Sequence, residues 1–409
     1  MPLPDAAHPR PRSPVTEVFL IFLKLGLTSF GGPLAHLGFF RAELVERRRW
    51  LTDEDFSDLV ALCQCLPGPT SSQVGIGLGL GRAGWPGALA AWLGFTLPSA
   101  LLLTLVALGA QQWQSPALDG GLHGLKVLAV AIVAQAVWGM ARSLCPDGPR
   151  AVLAVAAGGL ALALPGAAGQ LGAIALGALT GWAVLHGVTD TGAATWRAPV
   201  SRRAGTALLL TFASLLIALP VVAHLSGNLL WQAVSVCYRA SAMVFGGGHV
   251  VLPLLQSGVV DAGWMSTEQF LAGYGAAQAV PGPLFTFAAY LGASLPLPGG
   301  ASPWLGALAL VVAIFLPAFL AVLGALPFWH AWRQQVGVRR VLPGVNAAVV
   351  GVLGAALISP IGTSALQGPV DIAMAAVALA LLMRWRWPAV WLVVLSAAAG
   401  ALFMPMWQG

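Results

Sequence analysis

The chain has 409 residues, 58% of them hydrophobic and 8% charged, against about 25% charged in an ordinary soluble domain, which excludes a typical soluble enzyme. Its net charge of +6 comes from short basic segments between apolar stretches, which argues against a nucleic-acid-binding surface and for the positive-inside pattern of a membrane protein. The 50 Gly and 29 Pro exceed the usual share of about 12%, a sign of many broken helices.

Residues 1–14 are polar and Pro-rich and read as a disordered cytoplasmic tail. An apolar helix over 15–30 is expected to stop at Gly31-Gly32 and restart at Pro33, a residue suited to a helix start. Arg41 follows in an amphipathic, interfacial stretch. The next helix begins at Thr52, where Thr-Asp-Glu-Asp approximates a capping box, and ends at Pro67-Gly68-Pro69. A helix over 52–66 reaches about 22 Å, short of a hydrocarbon core about 30 Å thick. Short helix, Pro-Gly-Pro break and second short helix therefore read as a re-entrant hairpin. Spans are predicted at 86–111, 121–140, 151–164 and 171–186, then a connecting transmembrane helix at 206–225.

The pattern then repeats. Ser-Phe-Gly-Gly at 29–32 matches Val-Phe-Gly-Gly at 244–247, Trp50 to Phe56 matches Trp264 to Phe270, and Gln64 to Pro69 matches Gln278 to Pro283. Leu97-Pro98 answers Leu316-Pro317, and Lys126 aligns with Asn346. The expected organisation is a tail (1–14), a first copy (15–188), a linker with one transmembrane helix (189–228) and a second copy (229–409).

Basic residues swap sides between the copies. Arg47, Arg48 and Arg49 precede Thr52 while the segment before Ser266 carries Asp261, and Arg333, Arg339 and Arg340 fall where the first copy has no cation. The fold class expected is an all-α polytopic membrane protein, an inverted repeat of two helical halves with broken, re-entrant helices. The N-terminus is then cytoplasmic and the C-terminus outside; a parallel repeat is the competing arrangement.

Four cations, Arg41 among them, stand within apolar stretches at a cost of about 2.5–3.5 kcal/mol each on insertion scales, and so call for a purpose. Lys24 and Arg239 are matched, each six residues before Phe-Gly-Gly, and an inverted pair would present two cations to one cavity; Lys126 is the third. After each Pro-Gly-Pro turn a helix N-terminus carries hydroxyls, Thr70, Ser71 and Ser72 in one copy and Thr286 in the other, an arrangement suited to an oxyanion. Glu54 and Glu268 read as caps, His36, His123 and His249 have no matched partner, and the four cysteines read as small core residues. No phosphate loop, metal-ligand cluster or nucleophile elbow occurs, so the reading is neither enzyme nor ATP motor, with no cofactor and no metal.

The run FLKLGLTSFGGPLAHL, followed by WLTDEDF and QCLPGPTSSQVGIGLG with degenerate second copies, resembles the two-domain chromate transporter family of bacterial inner-membrane proteins. The resemblance spans nearly the whole chain. It implies chromate efflux and chromate resistance driven by membrane potential or proton motive force, with sulfate as competitor. The family's motif positions fall on Lys24, Phe30, Gly31, Gly32, Pro33, Gln64, Pro67, Gly68 and Pro69, and again on Arg239, Phe245, Gly246, Gly247, Gln278, Pro281, Gly282 and Pro283. Thr70, Ser71, Ser72, Lys126, Thr286 and Asn346 complete the expected substrate-binding set. The expected partners are chromate and the lipid bilayer, not nucleic acid; a homodimer stays open as the assembly. A sulfate or other oxyanion transporter, or an anion channel, is the alternative function.

Overall fold

The computed structural model describes residues 14–29, 32–112, 116–164, 167–184, 200–244, 251–297, 302–332, 335–387 and 389–403, and these are helical throughout apart from turns. In the first copy α1 (Pro14–Thr28) and α2 (Gly32–Phe40) lead into a π-helical turn, Arg41–Arg47. Next come α3 (Asp53–Cys65) and α4 (Thr70–Gln112), the latter interrupted at Ala83-Gly84, where Gly84 has φ +64°. Helices α5 (Pro116–Leu144), α6 (Gly148–Ala163) and α7 (Ala167–Val184) end the copy, and α8 (Arg202–Ser226) connects.

The second copy runs through α9 (Leu229–Ala242), α10 (Val251–Val259) and α11 (Thr267–Ala279). Helices α12 (Phe287–Ser294), α13 (Pro303–Ala325), α14 (Trp329–Trp332) and α15 (Val336–Ala356) follow. The chain closes with α16 (Thr363–Ala365), α17 (Pro369–Met383) and α18 (Ala389–Phe403). Among the described residues four helices are long and apolar enough to cross a membrane, those containing Thr70–Gly109, His123–Arg142, Arg202–Ser226 and Pro303–Phe328.

Ion pairs reveal the course of the chain. Glu17, at the start of α1, bonds Arg82 at 3.0 Å and Arg48 at 3.6 Å, and Arg82 lies over the Trp50 ring. The start of α1, the end of the π-helical turn and the corner within α4 thus share one face. Both pairs of short elements, α1 with α2 and α3 with the first part of α4, turn back to the face they entered from. Beyond Arg82, α4 runs to the other face, where α5 starts. There Lys126 lies 3.7 Å from Glu268 at the head of α11, and His123 lies 2.8 Å from Asp371 at the head of α17. The head of α3 is on the first face, where Asp53 pairs with Arg41 at 2.6 Å, and the end of α13 returns there, with Trp329 donating to Asp58 at 3.0 Å. Matched helices therefore start on opposite faces, and the two copies are antiparallel.

The copies also exchange their ends. α5 packs against α17 and α18, while its counterpart α15 packs against α6 and α7. The register is carried by glycine: Gly124 meets the Ser396 carbonyl, Gly120 meets Gly400, and Gly344, the counterpart of Gly124, meets Gly177 and Gly181. Two helices in lipid gain little from apolar burial against each other, so close backbone approach at small residues supplies the association. Gly124→Leu is expected to destabilise the fold by about 1–3 kcal/mol through overpacking. The thermal midpoint of the detergent-solubilised protein should fall, whereas Gly159→Leu, with open space around it, should leave it unchanged.

Candidate substrate site

The two Pro-Gly-Pro turns are built alike. Thr52 caps α3, its Oγ1 accepting from the Asp55 N–H at 3.1 Å, and Ser266 caps α11 through the Gln269 N–H at 3.2 Å. Each helix ends in extended backbone, at Leu66 and at Val280, and the following glycines take φ +113° (Gly68) and +102° (Gly282), which side-chain-bearing residues avoid. Each turn crosses to the other copy: the Gly68 N–H donates to the Val244 carbonyl at 2.8 Å, and the Gly282 N–H donates to the Ser29 carbonyl at 3.0 Å. Ser29 and Val244 occupy equivalent positions immediately before Phe-Gly-Gly. The contact is thus made twice, once in each direction, and it ties each broken helix to the turn of the opposite copy.

In the first copy Thr70, Ser71 and Ser72 begin α4 as expected and are buried with Gln73, whose Nε2 donates to the Pro67 carbonyl at 2.7 Å. Ser71 Oγ lies 3.3 Å from His36 Nδ1. The second copy departs from the expected helix start. Leu284–Thr286 is a 3₁₀ turn, α12 begins only at Phe287, and the Thr286 hydroxyl donates back to the Pro283 carbonyl at 2.7 Å. The Thr286 proton is given to its own turn while Ser72 Oγ has no partner among the described residues, so the two turns are chemically unequal.

Around these turns buried polar atoms stand without partners among the described residues: Ser29 Oγ, Ser72 Oγ, Gln73 Oε1, Thr96 Oγ1, Ser241 Oγ and Gln278 Nε2; Asn346 Oδ1, on α15, has none either. An unsatisfied buried polar group is costly and calls for a reason, and bound ligand or water is the usual one. Gln73, Ser29, Thr96 and Ser241 were not singled out from sequence. Gln73 had a readable signal, a carboxamide in an apolar helix three residues after Thr70, whereas Ser29 and Thr96 acquire meaning only from the crossing of the second turn, since Gly282 lies against Phe95 and Ser99.

The three cations Lys24, Arg239 and Lys126 differ in their surroundings. Lys24 is exposed and 3.9 Å from Glu43, itself half-buried and bonded to Arg47 and Arg48 at 3.0 and 2.7 Å. Burial opposes ionisation of Glu43, but Arg48, Arg47 and Lys24 outweigh it and hold its carboxyl below the usual range. Arg239 is exposed and has no ion pair among the described residues. Counted back from Trp50 and Trp264, Glu43 corresponds to Ser257, so the second copy lacks that counter-charge. Lys126 is the buried cation, 4% exposed, with Glu268 as partner.

Gln64 is exposed, while Gln278 and Asn346 are half-buried. Pro67 is half-buried, and Pro69, Pro281 and Pro283 are buried in the turns. Gly32 begins α2. Phe30, Gly31, Phe245, Gly246, Gly247 and His249 lie outside the described residues.

Comparison with known proteins agrees with this duplicated arrangement. The sequence profile described as chromate transporter matches residues 16–182 and again 231–401. A chromate transport protein of Pseudomonas aeruginosa is 31% identical over 98% of this chain and 94% of its own length. One from Cupriavidus metallidurans is 27% identical over 93% of this chain and 91% of its own. The uncharacterized transporter YwrA of Bacillus subtilis is 30% identical over 122 residues, covering 30% of this chain and 68% of its own. No solved structure matches the chain. With its profile matched once in each of two antiparallel copies, this multi-pass helical protein belongs to the chromate transporter family.

Proposed function

We propose that the protein exports chromate from the cytoplasm across the bacterial inner membrane, with the site at the junction of the two Pro-Gly-Pro turns. The observation that carries the reading is the reciprocal crossing of the turns amid unpartnered hydroxyls and carboxamides. Ser29, Ser72, Thr96 and Ser241 hydroxyls and Gln278 Nε2 can all donate to the oxygens of a tetrahedral dianion. Lys126, buried and paired with a largely exposed carboxylate at the head of α11, supplies positive charge on the path to the junction and not at the turns themselves. Lys24 and Arg239 act at opposite entrances and not as one pair, because antiparallel copies bring equivalent residues together only at the midplane. Six residues before the break place them about 9 Å away from it.

The face of Glu17, Arg48 and Arg82 is cytoplasmic in this reading, and the C-terminus is outside. A dianion leaving a cell that is negative inside gains about 4.6 kcal/mol per 100 mV, so potential alone can drive export and confer resistance. Everted vesicles carrying the protein, energised interior-positive, are expected to accumulate radiolabelled chromate saturably, to lose uptake when an ionophore collapses the potential, and to show competition by excess sulfate. Sulfate uptake without chromate uptake would overturn the assignment, and flux that never saturates would point to a channel.

A further inference from the structure

A polar cavity of about 220 Å³ lies away from the Pro-Gly-Pro turns, between α6, α7, α10, α15 and the irregular turn at Ser359. Its lining has acceptors in place of cations. Gln170 and Gln256 line it at 8% and 4% exposure, and the Oε1 of each has no hydrogen-bond partner among the described residues. The Gln170 carboxamide is oriented by its own Nε2, which donates to the Pro253 carbonyl at 3.3 Å, leaving the oxygen as the free end. Asp261 adds a carboxylate and Ser257 a hydroxyl.

The backbone has the same sign. The last turns of α6, α10 and α15 all reach this cavity, through Ala161, Gln256 and Ala356, and a helix C-terminus carries partial negative charge. Ser359 leaves helical geometry at φ −141°, ψ 124°, which interrupts the helical hydrogen-bond ladder beside the cavity. No Lys or Arg is among the described lining residues, and Gly258, not Ser257, faces α9, the helix of Arg239. Three negative helix ends, one carboxylate and two unpartnered carboxamide oxygens disfavour an oxyanion and suit a hard cation. All-oxygen ligation with a single carboxylate suits a monovalent ion better than Ca²⁺, which draws on more carboxylates. With about 30 Å³ per water, the volume admits an ion together with several waters.

We propose that this cavity binds a monovalent metal cation, with sodium as the probe ion, through Gln170, Gln256 and Asp261, at a site separate from the oxyanion site. The arrangement stands whichever oxyanion the protein carries. Asp261 takes the place that Arg47 has in the first copy, counted from the paired tryptophans, so the charge inversion between the copies is what creates the site.

The test is equilibrium binding of radiolabelled sodium to the purified full-length protein in detergent. Wild-type protein is expected to bind saturably, with displacement by unlabelled sodium but not by choline, chromate or sulfate. Asp261→Asn and Gln256→Leu are each expected to weaken binding at least ten-fold. Asp261 is exposed, so its variant should fold, and size-exclusion elution identical to wild type checks both. Absence of saturable sodium binding in the wild type, unchanged affinity in both variants, competitive displacement by chromate, or displacement by micromolar calcium would each overturn the proposal.

Discussion

Gly282→Ala is expected to abolish transport while the protein still inserts in the membrane. At φ +102° a side chain costs about 1–3 kcal/mol in backbone strain alone. The added Cβ would also stand 2.9 Å from Ser99 Oγ and 3.1 Å from the Phe95 carbonyl. A hydroxyl can rotate away, but a carbonyl inside α4 cannot, so the turn must lift and its bond to the Ser29 carbonyl must stretch. Flux in everted vesicles should fall below a few per cent of wild type. Gly68→Ala should be milder, because its Cβ would meet the movable end of Gln73 at 3.3 Å and Ala318 at 3.6 Å. Gly263→Ala is the control: φ is +73° but the surroundings are open, so it tests strain without the crossing. Wild-type flux in Gly282→Ala, or equal loss in Gly263→Ala, would show that the crossing does not matter for transport.

Lys126→Ala is expected to lower the apparent kcat/KM for chromate uptake by roughly 10-fold, the equivalent of about 1.4 kcal/mol of lost attraction along the substrate's path. The alternative is that Lys126 serves only to hold α5 against α11 through Glu268. The two roles separate in Glu268→Gln. That carboxylate is 60% exposed on its side chain, so water can replace it, and transport should survive. Were Lys126 purely structural, Glu268→Gln would match the loss in Lys126→Ala, and that result would remove Lys126 from the substrate's path. Partial recovery in Lys126→Arg is also expected, since the charge is kept with altered geometry.

Much of the architecture was legible from particular residues. Thr52 and Ser266 cap the short helices as their sequence neighbours predict, and the Pro-Gly-Pro motifs mark the breaks that end them. The swapped arginines pointed to antiparallel copies, and the pairs Glu17 with Arg82 and Lys126 with Glu268 lie on the faces that reading requires. The site was less legible. Lys24 and Arg239 attracted notice because duplication and intramembrane charge are visible in sequence, yet Glu43, which neutralises Lys24, stands 19 positions away with nothing to link them until α2 folds back. Likewise Thr286, a ligand candidate by register, turns inward because its backbone forms a 3₁₀ turn and not the start of an α-helix.

By itself the sequence determined that the chain is a duplicated, helical, membrane-spanning protein with four broken elements. Hydrophobicity, capping residues, glycine and proline act locally, and their effects can be read within a few residues. Only the tertiary structure decided which copy supplies which group. The Gly68 and Gly282 N–H groups reach across to Val244 and Ser29, and α5 and α15 each seat on glycines of the opposite copy. Those contacts depend on the antiparallel docking of two whole units. Hydrogen bonds and backbone approach act over a few ångströms, so residues hundreds of positions apart acquire a joint role only after that docking.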